Sequence, residues 1–214
     1  MKKILVTGFD PFGGEAINPA TESVKQLPDE ILGVQILKRE IQTVFDRSIE
    51  VLYGILKEEQ PDVVICVGQA GGRPNITVER IAINQDDARI PDNDGKQPID
   101  RTIFEEGPAA YFSTLPIKAM VRDMKEAGVP AAVSNTAGTF VCNHIMYGAL
   151  HYAALHQPNL KAGFVHIPYL PMQTVDKPTM PSMSRDEIVK GLTTLIKTAI
   201  QVEEDVKETG GAVC

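Results

Sequence analysis

Short apolar runs that break off at glycine or a polar loop alternate along this chain with stretches of helical periodicity. That alternation restricts the fold more than any other feature. Lys3–Thr7, Val34–Arg39, the run Pro61-Asp-Val-Val-Ile-Cys-Val-Gly68, Ala131–Ser134 and Lys161–His166 read as buried strands, and Ile76–Ile83 alternates as one further strand. Between them the spacing predicts helices over Pro19–Leu27, Val44–Glu58 and Ile117–Ala127, and from Cys142 to about His156. Asn18 is a candidate N-cap with Pro19 at the first helical position, and Phe45, Ile49, Leu52 and Ile55 or Leu56 form the apolar face of the second helix. A last helix starts at Ser184, where Glu187 completes a capping box, and its stripe is Ile188, Leu192, Leu195, Ala199 and Val202. The expected fold is α/β: a single-domain, three-layer α/β/α sandwich over residues 1–214 with a largely parallel, twisted central sheet. Residues 84–116 interrupt the pattern with prolines at 91, 98, 108 and 116 and the turn Asp92-Asn-Asp-Gly95. So long an excursion is expected to cover a site or to reach a neighbouring subunit. Residues 208–214 are expected to be a frayed tail.

Composition narrows the classes. With 214 residues, 43% of them hydrophobic, the chain can build a substantial core, and no apolar run reaches the roughly 18 residues of a membrane helix. A net charge of −7 without a basic cluster weighs against nucleic acid as a partner. Three cysteines, an odd count, suit a reducing cytoplasm better than a disulfide framework. Neither Cys-x-x-Cys nor a His-rich spacing suggests zinc. The N-terminal Lys-Lys pair precedes an apolar run that Thr7 and Gly8 end at once, so it reads as a first strand rather than a signal peptide.

Ligands of open α/β sheets sit at the carboxyl ends of the strands. Four distinctive segments are expected there: Gly8–Gly14, Gly68–Arg73, the approach to Cys142, and His166–Pro171. The stretch Ser134-Asn-Thr-Ala-Gly-Thr-Phe-Val-Cys142 is a polar, glycine-containing loop running into a helix, with Thr139 as candidate N-cap. A thiol in a first helical turn meets free N–H groups and the positive end of the dipole, which favours the nucleophilic thiolate. Cys142 also reads as a core residue on position alone. Cys66 lies inside an apolar strand and reads as a buried hydrophobe, and Cys214 ends the chain. Of the four histidines, His144 points away from Cys142 on the same helix, and His151 and His156 lie two or more turns down it. Only His166 closes a strand, where an imidazole can meet a helix-start thiol. Glu79 is the best carboxylate to orient it, although a glutamate in an alternating strand is equally readable as a solvent-facing residue. The loop Gly8-Phe-Asp-Pro-Phe-Gly-Gly14 lacks the Lys-Ser/Thr of a P-loop and the spacing of a dinucleotide fingerprint. Its two aromatics, Phe9 and Phe12, favour a small, flat, apolar ligand, or else both rings are core.

Five segments taken together carry a family resemblance: Gly8–Gly14, the turn Gly68-Gln-Ala-Gly-Gly-Arg73, Glu79-Arg80, Ser134–Asn143, and His166-Ile-Pro-Tyr-Leu-Pro171. In this order they closely resemble the pyroglutamyl peptidase I (pyrrolidone carboxyl peptidase) family, from residue 2 to about 205. The resemblance implies a cysteine peptidase that removes an N-terminal pyroglutamyl residue through a thioester. It implies no metal and no cofactor, a cytoplasmic setting and often a homotetramer. By motif, Cys142 is implied as nucleophile, His166 as general base and acid, and Glu79 as the orienting carboxylate. Arg89 matches an arginine near the active site, Phe9 and Phe12 the residues flanking the pyroglutamyl ring, and Asn18 and Gln69 polar residues near the substrate. Two other classes stay readable from the residues alone: a thiol amidase acting on small amides, and a flavodoxin-like binding module in which Cys142 is inert.

Overall fold

The computed structural model describes residues 2–211. Its centre is a seven-stranded sheet. β1 (Lys3–Phe9), β3 (Val34–Ile41), β4 (Val63–Gln69) and β9 (Lys161–Ile167) run parallel, in the spatial order β3-β1-β4-β9. The central strands β1 and β4 are nearly continuous runs of β-branched and aliphatic residues, as burial on both faces demands. The short β2 (Glu30–Ile31) extends one edge antiparallel to β3. On the other side β5 (Ile76–Glu79) pairs antiparallel with β9, and β8 (Ala131–Ser134) runs parallel to β5. The sheet is thus largely parallel, with a reversal between β9 and β5.

Among the described residues, five α-helices cover its two faces. α1 (Pro19–Val24), α3 (Ile117–Glu126) and α5 (Arg185–Gln201) close a core around Ile4, Val6, Ile65, Val67, Ile76, Val78 and Val165. α2 (Arg47–Glu59) and α4 (Val141–His156) close the other around Leu5, Val64, Cys66, Ala162 and Phe164. Successive residues of one strand feed opposite cores, the period-2 rule in its fully buried form. The helix starts follow their local chemistry. Asn18 accepts from the Ala20 N–H at 3.0 Å, and Ser184 and Glu187 form the expected capping box.

Several expectations need correction. Ile76–Ile83 is two strands: Arg80 breaks the run, and β6 (Ile81–Ile83) leaves the main sheet to pair antiparallel with β7 (Ala110–Phe112). The excursion therefore carries a strand of its own. α1 ends at Val24 rather than Leu27, and α2 begins at Arg47 rather than Val44, because Asp46 adopts φ 63 and no helix passes through it. Asp205 accepts from the N–H groups of Lys118 and Ala119 at the start of α3, and the Gly210 carbonyl accepts from the Arg80 guanidinium. Cys214 lies outside the described residues. Among the described residues, no helix is long and apolar enough to cross a membrane.

Candidate active site

The register of the sheet assembles the site. Gly68 on β4 and Thr77 on β5 are both register partners of His166 on β9. Paired residues share a face, so Thr77, Glu79, His166 and Gly68 all present to the side covered by α4. His166 and Glu79 are buried, and Glu79 is 0% exposed. The imidazole Nδ1 lies 2.7 Å from Glu79 Oε1. Burial raises the Glu79 carboxyl, but the hydrogen bond and charge of His166 and the charge of Arg73 outweigh it and hold the group below its usual value. Against a carboxylate, Nδ1 carries the proton and donates, which leaves Nε2 as the basic nitrogen.

Cys142 enters from above. It is the second residue of α4 and half-buried, and its Sγ sits over Gly68: a Cβ there would lie 2.9 Å from Sγ and 2.7 Å from Phe164 Cζ. A glycine at the register partner of His166 is what lets the thiol approach the sheet at this point. The first α4 bond is from the His144 N–H to the Phe140 carbonyl, so the N–H groups of Val141, Cys142 and Asn143 have no acceptor within the helix. Thr139 does not cap them. Its hydroxyl donates to the Asp87 carbonyl at 2.7 Å, and Phe140 takes the cap position without a side-chain bond. The expected cap thus fastens the excursion to the cysteine loop and leaves the helix start open to a ligand.

The thiol itself departs from expectation. Burial pushes the Cys142 thiol up to about 12, with the Glu79 carboxylate and Cys66 adding to the rise and Arg73 opposing it. At rest, Cys142 is therefore a thiol. The helix start serves developing charge rather than a standing thiolate.

Both groups open into a cleft of about 620 Å³. Of the residues expected near a substrate, Phe12, Gln69 and Arg89 line it. Phe9 and Asn18 do not. Phe9 is the last residue of β1, 3% exposed, and packs in the core with its ring 6.3 Å from that of Phe164. The Asn18 side chain is spent on capping α1 and on the Asp10 carbonyl. The wall also includes residues that sequence reasoning left unassigned: Arg73, Asp87, Ile90, Phe140 and Tyr169. Arg73 was visible as the end of the Gly68–Arg73 turn and Glu79 as the orienting carboxylate, but their pairing was not. Phe140 faces Phe12 with ring centroids 6.1 Å apart, so an aromatic lining is present but shared between two segments.

A second histidine–carboxylate pair lies nearby and is built differently. His144 Nδ1 faces both oxygens of buried Asp86 at 2.9 and 3.0 Å, and its Nε2 accepts the Asp46 N–H at 2.9 Å. Arg101 bridges Asp86 and Asp46. With both ring nitrogens engaged, this pair fastens the excursion to α2 and α4 and has no nitrogen left for proton transfer. Asn143 adds to the fastening through the backbone of Ile83 and Gln85. At the opposite end of the strands, a cavity of about 330 Å³ is bordered by Lys2, Lys3 and Lys161. Lys3 and Lys161 are spent there on Glu59 and on the carbonyls of Val202 and Glu203. Among the described residues, no group of three or more His, Cys, Asp or Glu side chains is placed to hold a metal ion.

The profile of the pyroglutamyl peptidase family matches residues 2–202. The chain belongs to this family. It is accordingly a peptidase, and its relatives agree along nearly their whole length. Pyrrolidone-carboxylate peptidase of Alkaliphilus oremlandii is 62% identical over 99% of this chain and 100% of its own. The enzyme of the same name from Streptococcus suis is 60% identical over 98% and 99%. Among solved structures, pyroglutamyl peptidase I from Bacillus amyloliquefaciens superposes with a TM-score of 0.95 at 51% identity, covering 97% of this chain and 99% of that one. A mutant pyrrolidone carboxyl peptidase from the hyperthermophile Pyrococcus furiosus gives 0.90 at 44% identity, covering 93% and 98%.

Proposed function

We propose that this chain hydrolyses the amide bond after an N-terminal pyroglutamyl residue of peptides, through a thioester on Cys142. The observation that carries the reading is the Glu79–His166 pair at 2.7 Å, opening with Cys142 into one cleft in a chain of this family. His166 takes the thiol proton on Nε2 as Sγ attacks the pyroglutamyl carbonyl, so thiolate forms only as it is consumed. The imidazolium is stabilised by Glu79 across Nδ1. The oxyanion develops at the uncapped start of α4, where the free N–H groups supply the stabilisation; one such donor is worth about 3 kcal/mol. His166 then protonates the leaving amine, and as a base again activates the water that opens the thioester.

The substrate end is a lactam without a free amine. Phe12 and Phe140 offer it apolar walls, and Arg89 and Gln69 line the same cleft. A wall that pairs the lactam N–H and C=O rejects proline, because its own polar groups would be left unpaired. No metal or cofactor enters these steps. A cytoplasmic setting and assembly as a homotetramer belong to the same reading and rest on the family resemblance. Sedimentation of the purified protein tests the assembly.

The test is cleavage of a pyroglutamyl fluorogenic amide beside the prolyl amide, with and without iodoacetamide. Iodoacetamide-sensitive cleavage of the first substrate alone is expected, with turnover abolished in a folded Cys142→Ala variant. Activity that survives in Cys142→Ala sinks the assignment.

A further inference from the structure

Two donors meet on one oxygen of Glu79. Oε1 receives His166 Nδ1 at 2.7 Å and Arg73 Nη1 at 2.6 Å. Nη1 also donates to Thr77 Oγ1 at 2.6 Å, and Nη2 donates to the Thr136 carbonyl at 3.3 Å. Thr136 belongs to the loop that runs from β8 to Cys142. A single planar guanidinium therefore ties the carboxylate, strand β5 and the cysteine loop together, which an ammonium cannot do. The backbone before it is shaped for this seat. A Cβ on Gly71 would lie 2.3 Å from the Tyr169 ring, and Gly72 has φ +91.

We propose that Arg73 is a positioning residue for the reaction. It anchors Glu79 through the same oxygen that His166 faces and sets the cysteine loop against that carboxylate. The inference rests on the proposed roles of Cys142, His166 and Glu79. Fixing the orienting carboxylate fixes the imidazole, and the charge of Arg73 offsets part of the negative charge that would otherwise draw a proton onto the Glu79–His166 pair. The remaining ionisable groups around the pair are the thiols of Cys142 and Cys66, Tyr169 after β9, and Asp87 and Arg89 from the excursion. Arg80, next in sequence to Glu79, is turned to Asn135 and Gly210.

The experiment compares the wild type with Arg73→Gln and Arg73→Lys on the pyroglutamyl amide across pH, and follows the His166 ring proton by NMR, assigned from its loss in His166→Asn. In Arg73→Gln, kcat is expected to fall about 10- to 100-fold with KM within about twofold. The acid limb of the profile and the NMR midpoint should both move up by about one pH unit, since the pair binds its proton more tightly without the neighbouring cation. Arg73→Lys keeps a charge but loses the fork, so it should move both in the same direction by less and recover only part of kcat. An unmoved midpoint and acid limb in Arg73→Gln overturn the proposal. If that variant does not fold, an unmoved midpoint in Arg73→Lys does so. A raised KM at constant kcat also overturns it, by making Arg73 a substrate contact. Failure of the peptidase reading is distinguishable: the wild type would then not cleave the amide, while the NMR titration stays readable.

Discussion

Replacing Gly68 with alanine tests whether the close approach of thiol to sheet is what makes the site. The added methyl would lie 2.7 Å from Phe164 Cζ and 2.9 Å from Cys142 Sγ, whereas ordinary contacts begin at 3.4 Å. Both neighbours must therefore retreat by about 0.5–0.7 Å. Phe164 has little room, because its ring is packed between Phe9 at 6.3 Å and His166 at 4.7 Å. Moving it displaces the imidazole, and moving Sγ displaces the nucleophile. Overpacking of this size costs about 1–3 kcal/mol, a fall in Tm of roughly 3–10 °C for a chain of this length. Half an ångström at each of two reacting groups lowers kcat/KM by about 10- to 100-fold. The internal control is Gly54 in α2, where a Cβ meets nothing within 4 Å. Gly54→Ala should leave activity unchanged and raise stability by about 0.5–1 kcal/mol through helix propensity. Thermal melts and pyroglutamyl amide kinetics on the two variants read both effects. A Gly68→Ala enzyme with wild-type Tm and activity within threefold would mean that this glycine does not set the approach of the thiol to the sheet.

Further outcomes follow from the two histidine pairs and the thiol. Because burial holds the Cys142 thiol up, alkylation by iodoacetamide should be slow at neutral pH and climb above about pH 8; a rate plateau between about pH 6 and 8 would reveal a standing thiolate instead. Asp86→Ala should cost about 3–5 kcal/mol in a denaturant titration, since it leaves the buried His144 Nδ1 without its partner and Arg101 with only one of its two carboxylates. His166→Ala should abolish turnover with a much smaller loss of stability, and the reverse pattern would exchange the roles assigned to the two pairs. Glu79 is ionised more easily folded than unfolded, so in that pH range the unfolded state binds more protons and stability rises with pH. The stability deficit of Glu79→Gln should then be full above the ordinary value of 4.5 and shrink as pH falls through the lowered folded value, and a deficit that is constant from pH 7 to pH 3 would contradict this.

What the sequence made legible is what depends on a residue and its near neighbours. Asn18 before Pro19 and Ser184 before Glu187 announce helix starts because capping is settled within three residues. His166 stood apart from the other three histidines because helical geometry alone turns His144 away from Cys142. Strand direction has no such local signature: nothing in Ile76–Glu79 reveals that it runs against β9, yet that reversal sets Thr77 opposite His166 and brings Glu79 within reach. The contacts of Arg73 and Thr139 were hidden for the same reason. Arg73 meets Glu79, Thr77 and Thr136 across three segments, and Thr139 gives up a local cap for the Asp87 carbonyl 52 positions away. Phe9 and Phe12 look alike in the sequence, but Phe9 still belongs to β1 and is carried into the core, while Phe12 lies past the strand end and reaches the cleft. The thiol shows the limit most clearly. Its place in the first turn of α4 was readable and argued for a lowered proton affinity, but the sign is decided by desolvation and by the carboxylate beneath it. Tertiary structure brings both to Cys142, together with the Arg73 charge that opposes them.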